Sequence, residues 1–452
     1  MTGPGHSRRL HRVLHGIAGV MLFLLALLPG WLLEEPASWI SLRQPLIATG
    51  IIVVLFGQLT YRPRLARVSA GLCVAVAMLV PALALGEFVF RALHVDFRRA
   101  ELTQRDLPPF YRRPLVPSGD CFLRRSGPLV WEGRVINTMC DWLRLETDAY
   151  ADGPRVAVRY DDDGVRNPPR LADWEIAVAG DSFTELGYLP EERLFTSLLA
   201  GRLGRRVKNL GVSHTGPLTQ LHYLQTYGIA PSTRTVVIAF FEGNDLDDLC
   251  RESEAWRRFE ETGTRLRAVE PQSSLLRALG DAVVFGGEEL KPKTPAKSDA
   301  MLVLPGRRIP VSLTNLPLKQ SDLTPEVEEE LARFLGGYRD LAAQHHLEAW
   351  LVYFPCKLRV WHGLLEFPAG AAGTLTNWTP TDLPDHLRGL CVAHEVRFLD
   401  VTPALVRTTR EEGSLLFNPI VDTHFTAAGC EVVAAAMAEA LAGAGTITQR
   451  TP

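Results

Sequence analysis

Three short, unbroken apolar runs do most to limit what this chain can fold into: EIAVAG ending at Gly180, VVIAFF from Val236 to Phe241, and AWLVYF from Ala349 to Phe354. A strand that is apolar at consecutive positions presents apolar side chains to both faces and needs cover on both, as the strands of parallel sheets do. Between the runs, apolar residues recur at helical spacing over Glu191–Leu203, Leu218–Tyr227 and Pro325–His345, and an alanine-rich helix is expected from Thr423 to about Ala442. Strands alternating with helices specify a doubly wound α/β sheet, here over residues 174–445. Residues 95–173, rich in Arg, Pro, Gly and Asp, read as an irregular, β-rich lead-in. Residues 251–323 break the rhythm and read as an insertion with a hairpin around MLVLPGRRIPVSL, of the kind that often shapes the rim of a site.

Residues 1–94 have a different character. Val13–Leu33 contains no Asp, Glu, Lys or Arg, and at ~1.5 Å per residue it is long enough to cross a hydrocarbon core of ~30 Å. Two further candidate transmembrane helices cover 40–61, weakened by Arg43, Gln44 and Pro45 near its start, and 68–90, with Pro81 inside. The first run follows Arg8, Arg9 and Arg12 as a secretory signal would, but it exceeds the roughly 7–15 apolar residues of such signals. It is followed by Glu34, Glu35 and Pro36 rather than a small-residue cleavage site. Arg62, Arg64 and Arg67 form a second basic cluster between the later runs. Basic loops stay cytoplasmic, so three spans would place everything after about His94 outside.

A formal net charge of -3 with no long basic stripe argues against nucleic acid as a partner. Of seven cysteines, Cys73 lies in the third run. Cys121, Cys140, Cys250, Cys356, Cys391 and Cys430 follow, an even number that permits disulfides in an oxidising compartment without specifying them. The absence of a CxxC pair argues against a zinc ribbon.

Three segments carry candidate chemistry. In AVAGDSFTELG a strand ends at Gly180 and Asp181-Ser182 opens the turn into a helix, which exposes Ser182 at the carboxyl edge of the sheet. There its own N–H can hold a developing oxyanion, although a serine in this place can also serve only as a helix cap. In FFEGNDLDD the Asn244 side chain at a strand end can donate to an oxyanion without ionising, and Asp181 and Asp245 are candidates for the pocket. Asp247 and Asp248 lack the spacing of a calcium loop. In NPIVDTHFTAAG, His424 can act as the base for a serine, and Asp422 two residues before it can hold the imidazole tautomer. Such chemistry calls for no cofactor and no metal.

The order of these pieces resembles the SGNH/GDSL hydrolase superfamily: Gly-Asp-Ser, a glycine block, Gly-Asn-Asp, then Asp and His near the end. The resemblance covers about Trp174 to Ala442. It implies a three-layer α/β/α, flavodoxin-like domain, a Ser182–His424–Asp422 triad, and an oxyanion hole from the Ser182 N–H, Asn244 and a second-block N–H. The second block departs from the family pattern: NLGVSHTGP places His214 where glycine is usual, five residues after Asn209, so either His214 or Gly211 would supply that N–H. The Asp-x-His spacing is also closer than the common family pattern. It is similar to that of alginate O-acetyltransferase-like (AlgX/AlgJ-like) proteins, while VYFPCK followed by FLDVTPAL resembles bacterial membrane-anchored members near exopolysaccharide pathways, and the residues themselves assign these segments no role. The resemblance implies an esterase or O-acetyltransferase acting on an acylated carbohydrate or polysaccharide at a bacterial inner membrane, catalytic domain outward, beside exopolysaccharide machinery. A lipid-directed esterase and a catalytically silent polysaccharide-binding scaffold are the competing expectations.

Overall fold

A computed structural model describes residues 4–26, 47–56, 63–93, 115–119, 121–125, 127–134, 145–146, 155–169, 171–263, 294–295, 297–420 and 422–445. The chain forms two compact units, Met1–Arg105 with Val269–Pro292, and Asp106–Ala268 with Lys293–Pro452.

The first unit contains helices α1 (Pro4–Ala26), α2 (47–56) and α3 (Pro63–Ala92). The α1 helix packs against α3. Gly19 brings it close to α2, since a Cβ there would lie 2.8 Å from the Gly50 carbonyl oxygen. Among the described residues no helix is long and apolar enough to cross a membrane. Of the first two expected spans, the described residues include 13–26 and 47–56. Residues 27–46 and 57–62, which complete those spans, lie outside the described residues. The third expected span falls within α3, where Glu87 is buried.

In the second unit the lead-in folds as short antiparallel pairs, β1 (Leu115–Ser118) with β2 (Phe122–Arg125), and β3 (Leu129–Arg134) with β5 (Arg155–Tyr160). Between the latter two, β4 (Leu145–Glu146) pairs with the distant β9 (Thr294–Pro295). The central sheet contains β6 (Ile176–Gly180), β7 (Val207–Gly211), β8 (Thr235–Phe241), β12 (Glu348–Phe354) and β14 (Arg397–Asp400), all parallel, in the order β7-β6-β8-β12-β14. This is the flavodoxin-like order, in which the first strand lies between the second and third.

Alternation along the strands feeds two separate cores. Ile176, Val178, Val237, Phe241 and Val352 pack against Phe195 and Leu199 of α5 (Phe195–Leu203) and Val433 and Met437 of α12 (Ala427–Gly445). Ala177, Ala179, Ile238 and Leu351 point the other way, against α6 (Pro217–Tyr223), α7 (Asp245–Thr262), α8 (Pro325–His345) and α10 (Leu383–Ala393). The sheet is thus covered on both faces, as the apolar runs require, and full burial of each Val, Ile, Leu, Phe or Met among these contributes ~1.5–3 kcal/mol relative to exposure.

Two strands carry no apolar run. In β7, Lys208 and Asn209 are buried. The Lys208 ammonium is 2.9 Å from an Asp163 oxygen, and the Asn209 N–H donates to Asn167 at 2.7 Å, so lead-in partners satisfy this edge. β14 is a half-buried edge reading RFLD. The insertion begins later than residue 251, because α7 continues to Thr262, where Gly263 at φ 65 closes it. Residues 264–293 lie outside the described set, and the expected hairpin is present as β10 (Ala300–Leu304) with β11 (Arg307–Val311), to which β13 (Leu365–Glu366) adds. The last helix starts at Ala427 rather than Thr423, since Thr426 Oγ1 accepts the Gly429 N–H at 3.2 Å and caps its first turn.

Candidate active site

The strand order changes direction between β6 and β8, and in open α/β sheets ligands bind in the crevice beyond such a switch point. Ser182 follows β6 and Asn244 follows β8, so the fold delivers both to that crevice. Ser182 opens a single-turn helix, α4 (Ser182–Glu185), whose N-cap Asp181 accepts the Phe183 N–H at 2.8 Å. The N–H of Ser182 itself stands in the first turn, where no intrahelical acceptor exists. Leu186 ends the turn at φ 39, fully buried, and its N–H donates to the Ser182 carbonyl at 3.0 Å.

The loop before α12 brings the other two candidates to this serine. His424 Nε2 lies 2.7 Å from Ser182 Oγ, and its Nδ1 bonds Asp422 Oδ1. Asp422 is oriented in turn by the His424 N–H at 3.0 Å and by the Asn418 amide at 3.1 Å. Burial would raise the Asp422 carboxyl, but the His424 ring, its hydrogen bonds and the Lys357 ammonium beyond hold it well below the usual carboxylate range. The carboxylate therefore stays charged and keeps a proton on Nδ1, which leaves Nε2 as the acceptor facing Ser182. The side chains of His424 and Asp422 are 12% and 13% exposed. The Phe183 ring, 4.7 Å from the imidazole, and the Phe425 core contacts hold the histidine in place. A second acceptor for the serine hydroxyl, Asp181 Oδ2 at 3.3 Å, is the weaker one by distance.

The expected oxyanion donors fare unequally. Gly211 is unsuitable: its N–H already donates to Asn209 Oδ1 at 2.8 Å, and a Cβ there would lie 2.4 Å from the Glu185 nitrogen. Gly211 thus serves close packing against α4. His214 takes φ 65, the left-handed conformation that glycine adopts without strain, and no described acceptor takes its N–H. The backbone keeps the glycine-like conformation although the residue has changed. Solvent reaches His214, yet lost hydration and then the Arg125 charge lower its pKa. The Asn244 amide donates to Asp248 at 2.6 Å and stands within reach of Asp181, so an oxyanion would compete for it. Asp181 and Asp245, expected to border a pocket, are fully buried behind the site. Burial raises the Asp181 carboxyl, and burial followed by the Asp181 charge pushes Asp245 well up.

A further layer was not anticipated from sequence. Glu185, in the same turn as Ser182, accepts the Ser213 N–H and hydroxyl, each at 2.6 Å, the Tyr160 hydroxyl at 2.6 Å, and Arg125 Nε at 3.1 Å. Burial opposes its charge, but Arg125 and these hydrogen bonds win and lower its pKa. Arg166 donates to the Leu186 carbonyl at 2.6 Å and to that of Leu189 at 2.7 Å. The lead-in thereby fixes the turn carrying Ser182, and Glu185 in that turn fixes the loop carrying His214. The only signal for this in the sequence was the glutamate three residues after Ser182. Asn418, four residues before Asp422, likewise carries no local pattern that marks it as a partner of that carboxylate. A cleft of about 920 Å³ near Arg166, Asn167 and Thr196 includes neither Ser182 nor His424 in its lining, so the chemical reading rests on the hydrogen-bond geometry.

No protein-family model and no curated protein matches the chain. Among solved structures it is similar to the carbohydrate acetylesterase Est24 of Sinorhizobium meliloti, at 13% identity and a TM-score of 0.31 over 60% of this chain and 99% of that one. A lipolytic protein of the G-D-S-L family from Veillonella parvula matches at 12% identity and TM-score 0.31 over 59% and 96%. A catalytic mutant of an acetylxylan esterase from Geobacillus stearothermophilus matches at 13% identity and TM-score 0.30 over 59% and 93%. Values this low leave the chemistry to be argued from the side chains themselves.

Proposed function

We propose that the chain is a serine-dependent acyl ester hydrolase or O-acyltransferase working through an acyl-serine at Ser182. The observation that carries this is the relay in which Asp422 bonds His424 Nδ1 while Nε2 lies 2.7 Å from Ser182 Oγ. As Ser182 Oγ attacks an ester carbonyl, its proton passes to His424 Nε2. The tetrahedral oxyanion is held by the N–H groups of Ser182 and His214, with the Asn244 amide as a third donor if it leaves Asp248. The ester C–O bond then breaks and the departing alcohol takes the proton from His424. Water or a second hydroxyl, deprotonated by His424, attacks the acyl-serine; the bond to Ser182 Oγ breaks, Oγ takes the proton back from His424, and the acid or the new ester leaves.

An acylated carbohydrate is the proposed substrate, supported by the close Asp422-x-His424 spacing, which is similar to that of O-acetyltransferase-like proteins. Purified protein should release acetate from an acetylated oligosaccharide, or move the acetyl group to a second oligosaccharide, and Ser182→Ala should abolish both. Equal rates in wild type and S182A would sink the proposal, while activity confined to lysophospholipid or thioester would reassign the substrate to the lipid class. We also propose an inner-membrane anchor in residues 1–94, with the second unit on the periplasmic side beside polysaccharide machinery. The apolar sequence over 13–33, 40–61 and 68–90 and the arginines at 8, 9, 12, 62, 64 and 67 support it. A C-terminal alkaline phosphatase fusion should be active in cells, and an inactive fusion of full-length, expressed protein contradicts that topology.

A further inference from the structure

The VYFPCK segment contains a charged residue that the chemistry above does not use. Lys357, the first residue of α9 (Lys357–Trp361), is fully buried. Its ammonium donates to the carbonyl oxygens of Ser312 at 3.2 Å, Pro419 at 3.4 Å and Asp422. Removing an ammonium from water is costly unless acceptors replace the lost hydration, and a methionine would fill the same volume without that cost. Packing alone therefore does not account for a charge at this position.

The three carbonyls show what the charge does. Pro419 and Asp422 belong to the loop that carries the Asp422–His424 pair, and Ser312 immediately follows β11. Within the loop, Asn418 N–H donates to the His424 carbonyl at 2.9 Å and Asp422 N–H to that of Ile420 at 2.7 Å. Those bonds set the loop's own shape. Phe425 at its far end packs in the core and its carbonyl accepts the Tyr188 hydroxyl at 2.5 Å, while the Pro419–Asp422 stretch is held from outside by Lys357 and by the Ser312 N–H, which donates to Pro419 O at 2.8 Å. We propose that Lys357 is a positioning residue for the Asp422–His424 pair, anchoring its loop to the ends of β11 and β12. The inference rests on the acyl-transfer reading of Ser182. Burial holds the Lys357 ammonium down to about 7 against the pull of Asp422, Asp299 and the Cys356 thiol, the titratable groups that act on it.

The test compares Lys357→Met and Lys357→Gln with wild type and S182A in the full chain. With the pair misplaced by a fraction of an ångström to ~1 Å, kcat should fall about 100-fold while KM stays within about twofold. In parallel, proton NMR of histidine-labelled protein should show a far-downfield Nδ1–H signal from His424 in wild type and S182A, broadened or lost in K357M. If K357M fails to fold, K357Q is read in the same way. A variant that keeps wild-type kcat and an unchanged Nδ1–H signal overturns the inference. If wild type and S182A prove equally inactive, the acyl reading has failed, and the NMR signal alone decides whether Lys357 holds the pair.

Discussion

His214 stands in left-handed backbone at φ 65 where the chain gains nothing obvious from a histidine. A non-glycine residue there is strained by roughly 1–2 kcal/mol, which the geometry explains if the loop must aim a backbone N–H at the reacting carbonyl. His214→Gly is therefore expected to raise stability by about 1 kcal/mol in urea unfolding and to leave kcat within a few-fold. A large kcat loss would instead show that the imidazole touches the substrate. At Asp422 the sign of the pH dependence follows from its lowered pKa. The folded state binds the proton more weakly than the unfolded chain, so the carboxylate contributes stability above the unfolded value of ~3.9 and loses it as pH falls below that. The stability gap between wild type and Asp422→Asn should be full at pH 7 and should narrow below about pH 4. At pH 7 the same substitution should lower kcat by a factor on the order of 10³–10⁴, since the amide favours the wrong imidazole tautomer. A gap that widens in acid would contradict the assignment. Lys357 acts with the same sign in a higher window: its lowered pKa makes wild type gain stability relative to K357M as pH rises from about 7 toward the ordinary lysine value of 10.5.

At the scale of elements, the turn carrying Ser182 is too short to hold itself. A single turn such as α4 has little cooperative stability of its own, and it is held by Arg125, Tyr160 and Arg166 from the lead-in and by Ser213 from the neighbouring loop. Arg125 and Glu185 side chains are 2% and 0% exposed. Arg125→Met should leave a buried, unpaired carboxylate and cost about 3–5 kcal/mol, whereas the double variant R125M/E185L should recover most of that loss. No recovery in the double variant would show that the pair does more than neutralise itself. The legibility of the sequence differed between elements for physical reasons. β6, β8 and β12 are covered on both faces and are therefore continuously apolar, and Pro325–His345 is readable from its helical period because one face packs in the core. β7 hid behind Lys208 and Asn209, whose burial is compensated by partners far away in sequence, and the Glu185 cluster draws on four separate segments. Ser182, Asp422 and His424 were readable because each lies in a short local pattern at the end of an element. Which second-block N–H is free could not be read, because it depends on the Asn209–Gly211 hydrogen bond.

For the whole molecule, the parallel order β7-β6-β8-β12-β14 places the switch point between the strands that end at Gly180 and Phe241. The C-terminal loop before α12 then closes on that crevice from more than two hundred residues away, with His424 bonded to Ser182. The doubly wound architecture, and not any local motif, converts Gly-Asp-Ser and Asp-x-His into one site. Covalent labelling tests that claim most directly. Folded full-length protein treated with a fluorophosphonate should carry one adduct, located on Ser182 by peptide mass spectrometry, and His424→Ala should label far more slowly. A folded wild type that stays unlabelled, or whose adduct lies on another residue, contradicts the account.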